Sequence, residues 1–167
     1  SAAERIDRPG PAVAVGIALA KGDKPELAVQ KLTELGVDRI VVFEAAHSVV
    51  HWDDDKRRRN LDRLGAVAIG ALQQSRGRFL PSVEVASFAA LAAEEGVVRA
   101  DAGGRAPAPS TDRLVLIGPE GGWSEEERRA VPVAVELAPT VLRAETAAVV
   151  AGSLWVAVRA GLVRVVG

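Results

Sequence analysis

The sequence predicts an α/β domain built on a parallel sheet with flanking helices, and two observations support this fold class. Residues 12–20 and 37–43 are dominated by apolar side chains, as in strands that are buried on both faces of a parallel sheet. The segment 23–36 between them carries apolar residues at helical spacing, so the three segments form a βαβ unit. Such a unit requires parallel strands and is almost always right-handed.

Caps, apolar spacing and turn residues predict the individual elements. Asp23 is the expected N-cap of the first helix, with Glu26 as its capping-box partner and Gly36 as its C-terminal stop. The later elements are expected in this order: a long helix over 53–74, a strand at 83–85, a short helix at 87–95, a flexible loop over 102–111, a strand at 114–117, a helix capped by Ser124 with Glu127, a short strand within 130–137, and a final helix from 145 that is apolar on most sides. We expect residues 11–167 to form one domain, preceded by a linker or tail over 1–10.

Composition is that of an ordinary soluble globular protein and excludes several classes of site. Of the 167 residues, 49% are hydrophobic and 26% are charged, and no apolar run reaches the ~18 residues that a membrane helix needs. The chain has no cysteine, which excludes disulfides and thiolate chemistry and makes a cytoplasmic location the default expectation. The chain has two histidines, which is poor material for a metal site, so no metal is expected.

The charge pattern is balanced overall but uneven along the chain. Formal net charge is −1, which argues weakly against a general attraction to nucleic acid. Basic residues nevertheless cluster at 56–59, with further arginines at 63, 76 and 78. The cluster at 56–59 fits a solvated helix start and a phosphate-facing patch equally well.

A glycine-rich turn follows the strand expected at 114–117. Its sequence, Gly-Pro-Glu-Gly-Gly over 118–122, lacks the Lys-Ser/Thr pair of a P-loop, and the chain has no Gly-x-Gly-x-x-Gly motif for a Rossmann dinucleotide or Rossmann methyltransferase site. A tight turn that needs a positive φ explains one glycine. The adjacent Gly121 and Gly122 exceed that need and favour close approach of the backbone to a ligand, at the strand end where α/β proteins bind small molecules.

A second segment, 137–147, places the charged Arg143 and Glu145 among apolar neighbours. One interpretation is a salt-bridged pair at the start of the last helix, with Glu145 near the helix N-terminus. The other interpretation is a charged pair at a ligand pocket. The residues alone leave both interpretations open.

These two segments, with two motifs upstream, resemble the RsmE family of bacterial small-subunit ribosomal RNA uridine-N3 methyltransferases, which belongs to the SPOUT superfamily. The upstream motifs are the Lys-Gly-Asp-Lys-x-Glu run at 21–26 that leads to 31–37, and the Gln-Ser pair at 74–75 with its nearby arginines and Pro81. The resemblance covers about residues 11–160. The chain departs from the family at 45–48, where Ala-Ala-His-Ser stands in place of a Ser-x-Arg-Ser-like loop, so that an RNA-facing arginine is either lost or replaced by His47. The PUA-like N-terminal RNA-binding domain of the family has no counterpart in these residues.

The resemblance implies a SPOUT (α/β-knot) fold with a C-terminal trefoil knot, a homodimer and S-adenosylmethionine as the cofactor. The knot would place the turn at 118–122 beside the segment 137–147, with the cofactor between them. The residues implied to bind it are Leu116, Ile117, Gly118, Pro119, Glu120, Gly121, Gly122, Leu137, Val141, Leu142, Arg143, Thr146 and Ala147.

The resemblance also implies methyl transfer to N3 of a uridine in small-subunit (16S) ribosomal RNA, with the RNA or the ribosomal subunit as partner. Arg143 is the implied stabiliser of the imide anion, and Glu145 or Glu120 the implied proton acceptor. The implied phosphate contacts are Lys21, Arg76 and Arg78. Two alternatives remain: a SPOUT enzyme that methylates a ribose 2′-hydroxyl of RNA, and a non-catalytic α/β nucleotide-binding module.

Overall fold

The computed structural model describes residue 8 and residues 10–21 and 24–164, which form a three-layer α/β domain. In chain order the elements are β1 (Ala14–Ala18), α1 (Lys24–Leu35), β2 (Arg39–Glu44), α2 (Asp54–Ser75), β3 (Ser82–Ser87), α3 (Phe88–Ala92), β4 (Val97–Arg105), β5 (Leu114–Ile117), α4 (Glu125–Ala130), β6 (Ala134–Val135) and α5 (Ala144–Arg159). The predicted N-cap Asp23 lies outside the described residues, as does most of the predicted linker over 1–10.

The sheet is parallel throughout, with strand order β3-β2-β1-β5-β4-β6. This confirms the predicted fold class. The chain first adds strands outward from β1 through β2 to β3, and then crosses to β4 and β5 on the other side of β1. The order of the strands therefore switches between β1 and β5, and in open α/β sheets the crevice at the carboxyl ends of the strands beside such a switch binds ligands.

Two apolar layers cover the two faces of the sheet. On one face α1, α2 and α5 pack on the strands, with Leu32, Leu64 and Trp155 completely or almost completely buried. On the other face α3 and α4 cover a smaller cluster that centres on Phe43 and Trp123, whose rings stack 6.2 Å apart. The strands in the middle of the sheet have no polar face, which explains their continuous apolar runs.

Capping residues and glycines in the sequence predicted most helix ends correctly. Asp53 caps α2, Ser87 caps α3, and Ser124 and Glu127 form a complete capping box at α4. Gly36 has a φ of 88°, as the predicted C-terminal stop of α1 requires.

The prediction of a loop over 102–111 is wrong for residues 102–105, which belong to a strand, whereas residues 106–111 do form a loop. Residues 102–105 complete β4, and a Cβ at Gly104 would lie 2.7 Å from the backbone of Ala134 and Val135, so glycine permits the close pairing of β4 with β6. The buried carboxylate of Asp112 accepts hydrogen bonds from the Arg105 guanidinium and from the backbone N–H of Ala108. Side-chain anchoring of this kind leaves no signal in the local composition.

Candidate functional site

A cavity of about 390 Å³ lies at the carboxyl ends of β4 and β5. The glycine turn 118–122 forms one wall, and the segment 136–144 with the start of α5 forms the other. Ten of the residues that the sequence predicts for cofactor binding line it: Ile117, Gly118, Pro119, Glu120, Gly122, Leu137, Val141, Leu142, Arg143 and Ala147. The tertiary structure thus brings together the two segments that the sequence singled out.

Four of the residues predicted for cofactor binding or catalysis are absent from this lining. Leu116 is completely buried on the opposite face of the sheet, in the cluster with Phe43, because successive residues of a strand point to opposite faces. A Cβ at Gly121 would lie 2.9 Å from Cβ of His47, so this glycine faces the loop after β2 rather than the cavity. Thr146 is exposed outside the cavity, and Glu145 lies in the first turn of α5 without lining it. Placing the side chain of Leu116 in the cavity wall is therefore wrong, and Gly121 and Thr146 do not line the cavity.

The cavity also has lining residues that sequence reasoning missed, from the end of β4 and from the segment after β6. These are Ala100, Asp101, Ala102, Trp123, Glu136, Ala138, Thr140 and Ala144. Ala138, Thr140 and Ala144 lie within the segment 137–147 that the sequence singled out, and Trp123 directly follows the glycine turn. The contribution of β4 follows from its pairing beside β5, which no local pattern reveals.

The glycine turn is held in place by the loop that follows β2. The backbone N–H of Gly122 donates to the carbonyl of Pro119 at 2.9 Å, and Gly122 has a φ of 75°. Nδ1 of His47 lies 3.1 Å from the carbonyl oxygens of both Gly121 and Gly122, so it is the protonated, donating nitrogen. The ring of His47 is therefore turned towards the glycine turn, which differs from the RNA-facing role implied for this position.

The opposite wall offers free backbone groups. In the part of the chain that the structure describes, the backbone N–H and C=O groups of 137–142 take part in no hydrogen bond. Leu137 and Leu142 are half-buried, and each packs against the main core and also lines the cavity. Residues 139–141 are exposed, so their backbone groups face water and are open to a ligand that supplies donors and acceptors.

The charged residues at the cavity are arranged as a group rather than as one pair. Arg143 is the N-cap residue of α5, is exposed, and lines the cavity without a side-chain capping bond. No ion pair joins Arg143 to Glu145 among the described contacts, so the salt-bridge interpretation of the pair is wrong. Oε2 of Glu145 is shielded from solvent and has no hydrogen-bond partner.

Glu120 is instead paired with Lys24 across the switch point of the sheet. The hydrogen bond between them lowers the pKa of Glu120 and raises the pKa of Lys24. Both side chains are partly exposed, so solvent screening keeps the stabilising effect of the pair small. The pair matters for the chemistry of Glu120, because the lowered pKa keeps this carboxylate ionised and makes it a weaker base than a free carboxylate.

The predicted phosphate contacts lie at two different edges of the sheet. Lys21 is exposed just after β1, at the carboxyl edge where the cavity lies. Arg76 and Arg78 lie in the connection from the end of α2 to the start of β3, at the amino edge. Within one copy of the chain, Arg76 and Arg78 are therefore remote from the cavity, and they cannot position a nucleotide in it.

The basic cluster at 56–59 is largely neutralised by its own helix. Lys56 lies 3.5 Å from a carboxylate oxygen of Asp53, and Arg57 lies 4.0 Å from one of Asp54. Arg58 pairs in the same way with Asp55. These pairs favour the solvated helix start over the phosphate-facing patch.

The part of the chain that the structure describes has neither a membrane-spanning helix nor a cluster of metal-binding side chains. Residues 10–21 and 24–164 contain no helix long and apolar enough to cross a membrane. They also contain no group of three or more histidine, aspartate or glutamate side chains placed to hold a metal ion.

Comparisons with known proteins agree on one family. Residues 8–156 match the family model described as an RNA methyltransferase domain. The ribosomal RNA small subunit methyltransferase E of Mycobacterium bovis is 36% identical over 160 residues, which cover 84% of this chain and 61% of that protein. The chain thus spans less than two thirds of the length of this curated relative.

Two solved structures of methyltransferases are also similar to this chain. A putative methyltransferase from Legionella pneumophila, in complex with S-adenosylmethionine, is similar with a TM-score of 0.79 and 28% identity, over 92% of this chain and 69% of that one. A ribosomal RNA small subunit methyltransferase E from Neisseria gonorrhoeae, bound to S-adenosylmethionine, has a TM-score of 0.77 and 25% identity, over 93% of this chain and 70% of that one.

Proposed function

Because the chain belongs to the RNA methyltransferase domain family, we propose that residues 11–167 form the catalytic domain of an S-adenosylmethionine-dependent methyltransferase. The substrate is N3 of a uridine in small-subunit (16S) ribosomal RNA, in the cytoplasm, where ribosomal subunits are found. The main support is the cavity between the glycine turn and 137–147, which two independent sequence motifs predicted and the fold brings together. The names of the relatives support the RNA substrate.

The chemistry of the cavity fits this cofactor. Its volume, about 390 Å³, lies in the range of small-molecule sites. Ile117, Leu137 and Leu142 provide apolar surface for a base, and the free backbone groups of 137–142 provide donors and acceptors for its polar edge. Of the two acidic residues in the lining, Asp101 is paired with Arg99 and Arg128, whereas Glu136 has no ion pair among the described residues and suits a ligand that carries positive charge.

The residues at the cavity have distinct proposed roles in methyl transfer. When bound, the cofactor supplies an electrophilic methyl group on a positively charged sulfur. Arg143 stabilises the negative charge that develops on the uracil ring as its N3 proton leaves. The proposed proton acceptor is Glu120 or Glu145. Glu120 lines the cavity, but its lowered pKa makes it a weaker base, and its pairing with Lys24 also ties the glycine turn to the start of α1. Glu145 has one oxygen without a hydrogen-bond partner, but it lies outside the cavity lining.

Two measurements test this function. Calorimetry should show binding of S-adenosylmethionine and S-adenosylhomocysteine, and no comparable binding of ATP, GTP or NAD. Incubation with unmodified small ribosomal subunits, followed by mass spectrometry of the nucleosides, should yield N3-methyluridine. Binding of ATP, GTP or NAD in preference to S-adenosylmethionine would support a non-catalytic nucleotide module, and a 2′-O-methylated nucleoside would contradict the N3 assignment.

We also propose that the protein is a homodimer. Val141 is 94% exposed at the rim of the cavity, and α5 remains apolar around most of its circumference, beyond the side that packs on α1 and the sheet. Sedimentation should give the mass of a dimer at micromolar concentration. A monomer mass over a wide range of concentrations would contradict this proposal.

A further inference from the structure

A second cavity, of about 260 Å³, opens at the same edge of the sheet as the first. It lies between the starts of α1 and α2 and the residues that follow β1. Lys21, Glu26, Trp52, Asn60 and Arg63 supply its functional groups. The ion pair between Lys24 and Glu120 links the two cavities. Glu120 lines the first cavity, and Lys24 directly precedes Pro25, which lines the second.

Trp52 gives the second cavity an aromatic wall. It is half-buried, whereas Trp123 and Trp155 are buried. Trp52 also lines a third cavity of about 240 Å³, so space remains on more than one side of it. Its backbone N–H donates to Oε1 of Glu44 at 2.9 Å, and this bond lowers the pKa of Glu44, which keeps the anchor ionised. An accessible indole ring with a fixed backbone is a suitable stacking surface for a nucleobase.

Arg63 gives the cavity a cation that is held from two sides. Its Nε lies 2.6 Å from Oε1 of Glu26, and its Nη2 donates to Oδ1 of Asn60 at 3.0 Å. The side chain is nevertheless 62% exposed, so part of the guanidinium remains available to a phosphate. Lys21 adds a second exposed cation, with no carboxylate in salt-bridge distance among the described residues.

We propose that the second cavity binds an unpaired nucleotide of the RNA substrate, next to the nucleotide that reacts in the first cavity. Its base stacks on Trp52, and its phosphate contacts Arg63 and Lys21. The volume suits one base and is below that of most sites for whole cofactors. Because Arg76 and Arg78 lie at the far edge of the sheet, this cavity supplies the RNA contacts nearest to the reaction. The inference rests on the proposed function for the identity of its ligand.

The test measures the affinity of the full chain for a short single-stranded RNA of about eight nucleotides, at several salt concentrations. Trp52→Ala should weaken binding about tenfold and leave the salt dependence unchanged, because stacking displaces no counterions. Trp52→Phe should retain most of the affinity. Arg63→Gln should weaken binding and reduce the slope of log K against log salt by about 0.7, the value for one phosphate contact on a single strand. Arg58→Gln, on the same helix, is the matched control and should change neither quantity.

The outcomes separate this inference from the proposed function. Calorimetry should show unchanged binding of S-adenosylmethionine in every variant. The inference is wrong, and the proposed function stands, if the wild type binds S-adenosylmethionine but the Trp52 and Arg63 variants bind RNA with the same affinity as the wild type. Equal affinity for a duplex of the same length, or no RNA binding by the wild type at low salt, also overturns it. If Trp52→Ala strongly lowers the melting temperature, its loss of RNA affinity carries no weight. The RNA affinity of Trp52→Phe and the salt dependence of Arg63→Gln then decide whether the inference holds.

Discussion

Gly121 and Gly122 are adjacent in sequence but have different surroundings. A Cβ at Gly122 would meet nothing within 4 Å, and its φ of 75° is the conformational reason for glycine there. At Gly121 the close neighbour is His47, so the small residue permits contact between the turn and the loop after β2. A substitution at Gly121 therefore probes the support of the turn, whereas one at Gly122 probes the turn's own backbone.

At the same scale, Arg143 provides a test of catalysis. Arg143→Ala should lower kcat by more than tenfold and change the affinity for S-adenosylmethionine by less than about threefold, since the side chain is assigned to charge that develops in the transition state. Single-turnover methylation of ribosomal subunits and calorimetry give the two quantities. Equal losses in both would assign Arg143 to cofactor binding instead.

At the scale of the element, the start of α4 links the helix cap to the site. Oγ of Ser124 accepts from the backbone N–H of Glu127, and Oε2 of Glu127 accepts from the backbone N–H of Ser124. The second oxygen, Oε1, accepts from the backbone N–H of Ala46 at 2.8 Å. One buried carboxylate thus caps α4 and also fixes the loop that contacts the glycine turn.

This double role predicts unequal effects on stability. Ser124→Ala should lower the free energy of unfolding by about 1 kcal/mol, as for a typical N-cap. Glu127→Ala should lower it by about 3 kcal/mol, because two backbone N–H groups lose their acceptor. Urea denaturation of both variants measures the difference. Equal losses would mean that the contact with Ala46 contributes nothing to stability.

At the scale of the whole molecule, the connection between β4 and β5 is tied to the last helix. Asp112 is buried, and its carboxylate accepts from Arg105 at 2.6 and 3.0 Å. Its backbone carbonyl accepts from Nε1 of Trp155 at 2.7 Å. The loop therefore connects the edge of the sheet to α5, which carries Arg143 and Glu145 at its other end.

Removal of this carboxylate should destabilise the whole domain. Asp112→Ala should lower the free energy of unfolding by about 3 kcal/mol. The substitution removes the carboxylate that accepts from the backbone N–H of Ala108 and from the guanidinium of Arg105. Asp62→Ala, at an exposed position on α2, is the control and should change stability by less than about 0.5 kcal/mol. Thermal unfolding of the two variants tests the contrast, and similar melting temperatures would contradict it.

Local signals in the sequence determined the fold class, most helix ends and the two segments that enclose the first cavity. Apolar runs, caps and glycines act over a few residues, so they can be interpreted without partners. The trefoil knot rests on the resemblance and stays a prediction, as does the boundary of the domain at residue 11.

Tertiary structure alone decided which side chains share a site. β5 is apolar on both faces, so nothing in its sequence shows that Ile117 borders the cavity while Leu116 packs beside Phe43. The length of β4 depends on its pairing with β6, and the order of the loop after it depends on Asp112. The second cavity combines residues 20–21 and 25–26 with residues of two later segments, 50–52 and 60–64, and their meeting is a property of packing rather than of any local pattern.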